Sequence, residues 1–586
     1  MVRAPPGRAV ACGAGPPYNG LVPDSNQRKL RSQSWWRQPD YRGFVHRAWM
    51  RAEGFTSDFF QNRPVIGICN SWSELNNCNA HLRTVAEAVR RGVLAAGGFP
   101  LEFPTISLGE VLMRPTTMLY RNLMAMDVEE SIRANPLDGV VLLCGCDKTT
   151  PAQLMGAASA GLPAIMVPGG PMLSGQWRDR KLGSGTDGRK LYDLFRTGRL
   201  GEEEWCEIEG GIARSAGHCT VMGTASTMAN VAEALGMTLP GAAAIPAPDS
   251  RHLANAEMSG RRIVEMVWED LCPSRIMTRD AFHNAVTVDM AIGGSTNAVV
   301  HLLAIAGRLG VPLDLDDFDA ISRRTPCIVN VKPSGEYLME DFFAAGGLPA
   351  VMKEILPLLR GNALTVNGKT VRENVEKAAC HRPEVIRTAG EPIHPEGGTV
   401  VLYGNLAPDG AVIKQSAASP QLLKHRGKAY VFESFDEMRA RIDSDDLPVE
   451  ASTVLVMKGC GPRGAPGFPE WGHIPMPRVL LERNVTDMVR ISDARMSGTS
   501  YGTVVLHVAP ESAVGGPLAI VKTGDEVALD VEGRQIELKV DGEEIRRRLA
   551  AFVPPPPHFD RGYGRLFLEH VTQANLGCDF DFLMKR

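Results

Sequence analysis

Two textures of apolar positions divide this chain. From about residue 60 to 380, short unbroken apolar runs alternate with stretches of helical spacing. Pro64-Val65-Ile66-Gly67-Ile68-Cys69, Gly139-Val140-Val141-Leu142-Leu143 and Ala164-Ile165-Met166-Val167-Pro168 lack the polar alternation of a half-exposed strand. That is how strands buried on both faces of a parallel sheet read. Between such runs, Leu82-Arg83-Thr84-Val85-Ala86-Glu87-Ala88-Val89-Arg90-Arg91 carries a helical pattern. The alternation predicts an α/β domain with a mainly parallel sheet over residues 29–390. After about Glu391 the runs become Thr399-Val400-Val401-Leu402-Tyr403, Ala429-Tyr430-Val431-Phe432, Thr453-Val454-Leu455-Val456-Met457 and Thr503-Val504-Val505-Leu506-His507-Val508, set between Gly/Pro turns. They predict an all-β domain over residues 391–586, a barrel or a sandwich. Residues 360–395, rich in Asn, Gly, Pro and charge, read as the linker, and residues 1–28 as a disordered extension.

Composition narrows the class. With 586 residues and 44% hydrophobic content the chain is long enough for two or more domains with cores of their own. Its 63 basic and 67 acidic residues nearly balance, so neither nucleic acid nor an anionic membrane is a suggested partner. The uncharged run from Thr149 to Trp177 is broken by Pro151, Pro163 and Pro168, which argues against a membrane span. Twelve cysteines without an apolar leader core read as reduced thiols of a cytoplasmic enzyme rather than as disulfides.

The chemistry concentrates in Cys146-Asp147-Lys148-Thr149-Thr150-Pro151, which sets a soft thiolate, a hard carboxylate and an amine at the end of a strand-like run. Open α/β sheets bind their ligands at that end of a strand. Thiolate suits iron-sulfur or zinc and carboxylate suits magnesium, although Cys146 as a core cysteine and Asp147 as a helix N-cap fit the same residues. Cys78, in Asn76-Asn77-Cys78-Asn79-Ala80-His81, and Cys219, in Gly217-His218-Cys219-Thr220, also follow turn-like segments and open helical patterns. The helix dipole favours a thiolate in such a place. The three lie roughly 70 residues apart, so only the fold can bring them together. No Cys-x-x-Cys pair supports a zinc knuckle.

Two blocks resemble the signature of the iron-sulfur dehydratases, the family of dihydroxy-acid, phosphogluconate and sugar-acid dehydratases. The first is Cys146-Asp147-Lys148-x-x-Pro151-Ala152 and the second Ser492-Asp493-Ala494-Arg495-Met496-Ser497-Gly498-Thr499. Branched-chain members more often carry Asp-Gly-Arg-Phe-Ser-Gly in the second, so Ala494 and Met496 look like the sugar-acid branch. Leu30-Arg31-Ser32-Gln33-Ser34-Trp35-Trp36 and Pro115-Thr116-Thr117-Met118-Leu119-Tyr120-Arg121-Asn122 resemble the pentonate enzymes, L-arabinonate dehydratase most closely.

The resemblance implies a barrel as the second domain, a homodimer or homotetramer, and a small sugar acid as substrate. It also implies a 2Fe-2S cluster on Cys78, Cys146 and Cys219, three ligands that fit a 4Fe-4S cluster equally and leave one iron position open. Magnesium is implied at Glu110, Asp147 and Glu470, with Lys148 carbamylated so that it offers oxygen instead of an ammonium. Ser497 is implied as the base, with Thr499 hydrogen-bonded beside it; without such a role it reads as a turn serine. His81 and His218 adjoin the cluster cysteines as supporting groups. Cys144 and Cys460 are read as bystanders. A dihydroxy-acid dehydratase of branched-chain amino-acid synthesis and a non-catalytic iron-sulfur sensor are the alternatives.

Overall fold

The structure is a computed structural model and describes residues 29–585, so the extension expected at residues 1–28 lies outside the described residues. Four strands, β1 (Val65–Asn70), β2 (Phe99–Pro104), β3 (Gly139–Cys144) and β4 (Ala164–Pro168), form one sheet in the order β2-β1-β3-β4. All three pairings are parallel. Every residue of β1, β3 and β4 is buried, which is why their sequences are apolar without alternation. Helices α1 (Leu82–Ala95), α2 (Met118–Ala134) and α3 (Thr149–Ala160) are the crossovers. They are followed by α4 (Thr186–Arg196), α5 (Thr224–Ala234), α6 (Ser250–Glu269) and α7 (Asn297–Leu309). α2 and α3 approach closely because a Cβ on Gly156 would stand 2.7 Å from the Ala125 carbonyl oxygen. Among the described residues no helix is long and apolar enough to cross a membrane; the uncharged run from Thr149 becomes α3 and then β4.

Because the sheet is parallel, all its carboxyl ends lie along one edge. The loop after β1 carries Cys78, the loop after β2 carries Glu110, and the turn after β3 carries Cys146, Asp147 and Lys148.

The second domain is a closed eight-stranded barrel, which decides between barrel and sandwich. Its strands are β5 (Val400–Gly404), β6 (Ala407–Ile413), β7 (Lys424–Phe432), β8 (Val454–Met457), β9 (Arg490–Ser492), β10 (Val504–Leu506), β11 (Glu526–Asp530) and β12 (Gln535–Leu538). They close in the order β8-β9-β10-β6-β5-β12-β11-β7. β7, β8, β9 and β10 run parallel, so the loops after β8 and β9, which hold Glu470 and Ser497, leave the barrel at one end.

Residues 360–395 are strapped to the first domain rather than spanning freely between the two. Cys327 N–H donates to the His394 carbonyl at 2.9 Å, and Arg387 N–H to the Ile328 carbonyl at 2.8 Å. The chain's last helix, Gly562–His570, leaves the barrel and returns to α2 and α7. There the Tyr563 hydroxyl donates to the Leu119 carbonyl at 2.7 Å. Arg308, on α7, pairs with Asp579 at 2.6 Å, both side chains fully buried.

Candidate active site

Close backbone approach brings the three cysteine loops together. A Cβ on Gly145 would lie 2.6 Å from the Cys78 carbonyl oxygen, so only glycine lets the turn after β3 pass the Cys78 loop. Gly217 N–H donates to the Asn77 carbonyl at 3.1 Å and ties the Cys219 loop to the same place. Cys146 is pinned to the first turn of α3, where Thr149 Oγ1 accepts from its N–H at 2.9 Å and donates to its carbonyl at 3.0 Å. The Cys78 and Cys146 thiols hydrogen-bond each other, and that bond, burial and the neighbouring Cys146 and Cys219 sulfurs push Cys78 well above the usual thiol range. Burial pushes the Cys219 thiol up to about 12, with Asp147 adding to the rise.

Beside the thiols, three carboxylates close on one ammonium. Lys148 Nζ lies 3.3 Å from Glu110 Oε2, 3.3 Å from Asp147 Oδ2 and 3.0 Å from Glu470 Oε1, and its side chain is fully buried. Lys148 is itself the first, uncapped residue of the helix start, so Asp147 is not the N-cap of α3. Glu470 accepts from three donors. Arg495 Nη1 reaches its Oε1 at 3.0 Å, Asn297 Nδ2 reaches it at 3.1 Å, and Lys148 completes the set. Glu110 accepts from the Thr116 hydroxyl at 3.1 Å and from Thr117.

The charges of this cage do not balance. Three carboxylates face two cations, Lys148 and Arg495. Burial pushes the Asp147 carboxyl up to about 6 against the pull of Lys148, with Glu470 and Glu110 adding to the rise. Burial would also raise Glu470, but Lys148 and Arg495 outweigh it and hold that carboxyl down at about 2. For Lys148, burial and Arg495 act downward, yet the three carboxylates win and hold the ammonium above the usual lysine value.

The barrel loop after β9 inserts Ser497 against this group. Gly498 presses on the start of α5: a Cβ there would stand 2.8 Å from the Gly223 carbonyl carbon and from Ser295 Oγ. Ser497 Oγ lies 3.0 Å from Thr499 Oγ1, and Asn297 Nδ2 donates to the Met496 carbonyl at 3.0 Å. Cys78, Glu110, Asp147, Cys219, Glu470 and Ser497 all keep partial exposure, whereas Cys146 and Lys148 are buried.

The sequence matches fall on this arrangement. The family model described as dihydroxy-acid/6-phosphogluconate dehydratase N-terminal matches residues 63–374, and its C-terminal counterpart matches residues 384–578. The chain belongs to the dihydroxy-acid/6-phosphogluconate dehydratase family. It is 54% identical to the L-arabinonate dehydratase of Rhizobium leguminosarum bv. trifolii, over 95% of this chain and 96% of that one. It is 50% identical to the 6-deoxy-6-sulfo-D-gluconate dehydratase of Pseudomonas putida, over 95% and 96% of the two chains. A dihydroxy-acid dehydratase from Ignicoccus hospitalis is 40% identical, over 93% of this chain and 99% of the other.

In this dehydratase the two histidines beside the cysteines are neutral braces. His81 Nε2 sits 2.7 Å from the Gly169 carbonyl, and burial, with His252 nearby, pulls its pKa down to about 4. His218 Nδ1 lies 3.2 Å from the Cys219 carbonyl, and burial likewise lowers it to about 4. Cys144 ends β3 inside the core, where burial raises its thiol to about 12. Cys460 is buried beside Asp493, whose carboxylate accepts its N–H at 2.9 Å.

Among the described residues, no three carboxylate, thiol or imidazole groups stand as a ready-made coordination cage. Around Lys148 the cause is visible, since its ammonium fills the space between the carboxylates. The donor set nevertheless fits a divalent hard cation. Hard carboxylate oxygens converge with one negative charge in excess, and exchanging the ammonium for a carbamate plus a dication leaves the net charge of the cage unchanged. The thiol trio fits a soft metal group. Sequence reasoning passed over Arg495 as a ligand-holder, Asn297 as the clamp on Glu470, and Arg189, whose Nη1 donates to Thr499 Oγ1 at 2.7 Å. Arg495 lies inside the second signature block; Asn297 opens α7 after the Gly293-Gly294 turn, and Arg189 carries no local signal.

Proposed function

We propose that this site removes water from a pentonate such as L-arabinonate, converting it to its 2-keto-3-deoxy acid. The class, a sugar-acid hydro-lyase, follows from family membership and from relatives that are sugar-acid dehydratases over nearly their whole length. The observation that carries the mechanism is the meeting of three thiols, a carboxylate cage and a barrel serine at one seam between the domains. Cys78, Cys146 and Cys219 would hold a 2Fe-2S cluster, and Glu110, Asp147, Glu470 and a carbamylated Lys148 a magnesium ion, which supply Lewis acidity toward the C3 hydroxyl and toward the carboxylate and C2 hydroxyl.

Ser497 takes the C2 proton through Oγ, and Thr499 steadies that oxygen from 3.0 Å. Arg495 and Asn297 fix Glu470, so the carboxylate keeps its direction while the substrate's charge changes. Loss of the C3 hydroxyl, which leaves as water with the abstracted proton, gives the enol that tautomerises to the keto acid.

The test is turnover by anaerobically purified enzyme of a panel of aldonic acids and 2,3-dihydroxyisovalerate. Pentonates, L-arabinonate first, should be turned over fastest; a preference for the branched-chain acid would overturn the substrate assignment. Ser497→Ala should abolish solvent-deuterium exchange at C2 of bound substrate, and exchange that survives would remove Ser497 as the base.

A further inference from the structure

The bond between Ser497 Oγ and Thr499 Oγ1 has no direction by itself, since either hydroxyl can donate. Arg189 supplies the direction. Its Nη1 lies 2.7 Å from Thr499 Oγ1, and a guanidinium has donors only, so Thr499 Oγ1 accepts there. The Thr499 hydrogen is then left for its other partner, Ser497 Oγ, at 3.0 Å. Thr499 N–H points to the same oxygen from 3.4 Å. Ser497 Oγ thus receives two donors, one of them polarised by a cation, which is the surrounding that favours an alkoxide over a hydroxyl.

The arrangement is built rather than incidental. Arg189 sits in the first half of α4, whose start is docked on the barrel loop independently of the guanidinium. Thr186 Oγ1 donates to the Thr499 carbonyl at 2.7 Å, and a Cβ on Gly185 would stand 2.7 Å from Thr499 Cβ. A second hydrogen bond from Arg189 Nη1, to the Gly185 carbonyl at 3.2 Å, fixes the aim of the guanidinium. On the far side, Lys332 Nζ pairs with Asp187 at 2.6 Å and Gly183 N–H donates to the same carboxylate oxygen at 2.6 Å, so the first turn of α4 is itself held. Docking accounts for Thr186 and Gly185; it leaves the bond to the Thr499 hydroxyl unexplained.

We infer that Arg189 is a positioning residue for the proton-abstraction step, acting through Thr499 to present Ser497 Oγ as a hydrogen-bond acceptor. This rests on Ser497 being the base. The proton path balances: Ser497 Oγ, as alkoxide, takes the C2 proton and becomes a hydroxyl, while the Thr499 hydrogen and the guanidinium stay where they are.

Three variants of the cluster-loaded enzyme test it: Arg189→Met, Arg189→Lys and Thr499→Val, with the double variant of the first and third. Arg189→Met should lower kcat and the C2 exchange rate about 10- to 100-fold, the loss expected when a charged hydrogen-bond path is cut. KM should stay within about threefold and iron content should be unchanged, because the group acts only when charge develops on Ser497. Arg189→Lys should recover part of the loss. Adding Arg189→Met to Thr499→Val should cost nothing further, since the path is already cut. Additive losses, an effect on KM alone, or wild-type exchange in Arg189→Met would overturn the inference. Arg189→Lys and the Thr499→Val comparison decide the matter if the methionine variant fails to fold. Should Ser497→Ala keep its exchange, the base assignment falls; should it lose exchange while Arg189→Met keeps it, only the role of Arg189 falls.

Discussion

Gly498→Ala is the sharpest test of how the barrel delivers its serine. The added methyl would lie 2.8 Å from the Gly223 carbonyl carbon and from Ser295 Oγ, and nearer still to the Thr224 nitrogen. Two of those three atoms are backbone at the start of α5, so they cannot rotate away. Restoring ordinary carbon contacts near 3.5 Å demands that the loop retreat by about 1 Å. Ser497 is the preceding residue and must move with it. Misplacing a reacting group by about 1 Å costs on the order of 100-fold in rate, or about 2.7 kcal/mol in the barrier. The overpacked seam should also lower folding stability by about 1–3 kcal/mol. The assay is kcat on the preferred sugar acid beside iron content and thermal unfolding. A variant that folds, carries wild-type iron and retains kcat within about threefold would refute the claim that this contact sets the position of Ser497.

Cys78→Ser, Cys146→Ser and Cys219→Ser should each bleach the visible absorbance of the purified protein and abolish turnover, because hydroxyl replaces thiolate poorly at iron, while Cys144→Ser should do neither. Asp579→Asn should cost about 1–3 kcal/mol in chemical unfolding, since it leaves the fully buried Arg308 guanidinium with the Glu129 carboxylate, 3.3 Å away, as its remaining ionic partner. Glu511 should make the protein less stable as pH rises. Burial, with Asp493 adding to it, raises its folded-state carboxyl from 4.5 to about 7, so between those values the native state keeps a proton that the unfolded chain has released. That shift corresponds to about 3 kcal/mol lost between roughly pH 4.5 and 7, and Glu511→Gln should flatten the stability profile by that amount. Parallel profiles for the two proteins would refute it.

What could be read in the chain depended on how local the determinant was. β1, β3 and β4 were legible because burial on both faces forces an unbroken apolar run. β6 was not: Ala407-Pro408-Asp409-Gly410 has the composition of a turn, yet it opens the barrel strand that pairs with β5, with a register shift between Leu402 and Gly404. Pro408 lacks a donor and Gly410 takes φ +98°, so tertiary pairing overrides what those residues prefer alone. The return of the last helix to α2 was invisible for a similar reason, because Tyr563 and Asp579 read as ordinary residues until Leu119 and Arg308 are known to face them. In the site, Cys146, Asp147, Lys148 and Ser497 stood out in the two signature blocks and Cys78 and Cys219 through their turn-like settings, whereas Glu110 and Glu470 came only with the resemblance. Arg189 sits in a surface-like helix sequence, Asp187-Gly188-Arg189-Lys190, and gains its meaning only where α4 meets the barrel loop.

The division of the site between the domains sets an order of maturation. Cys78, Cys146 and Cys219 all belong to the α/β domain, and the contacts that gather them, through Gly145 and Gly217, involve no barrel residue. That half carries every thiol proposed for the cluster before any barrel residue is made. The lysine cage cannot close so early, because one of its three carboxylates and its arginine clamp, Glu470 and Arg495, arrive with the barrel more than three hundred residues after Lys148. In the proposed assignment the cluster ligands are therefore all made before the magnesium ligands are complete, and Ser497 follows both Glu470 and Arg495 along the chain.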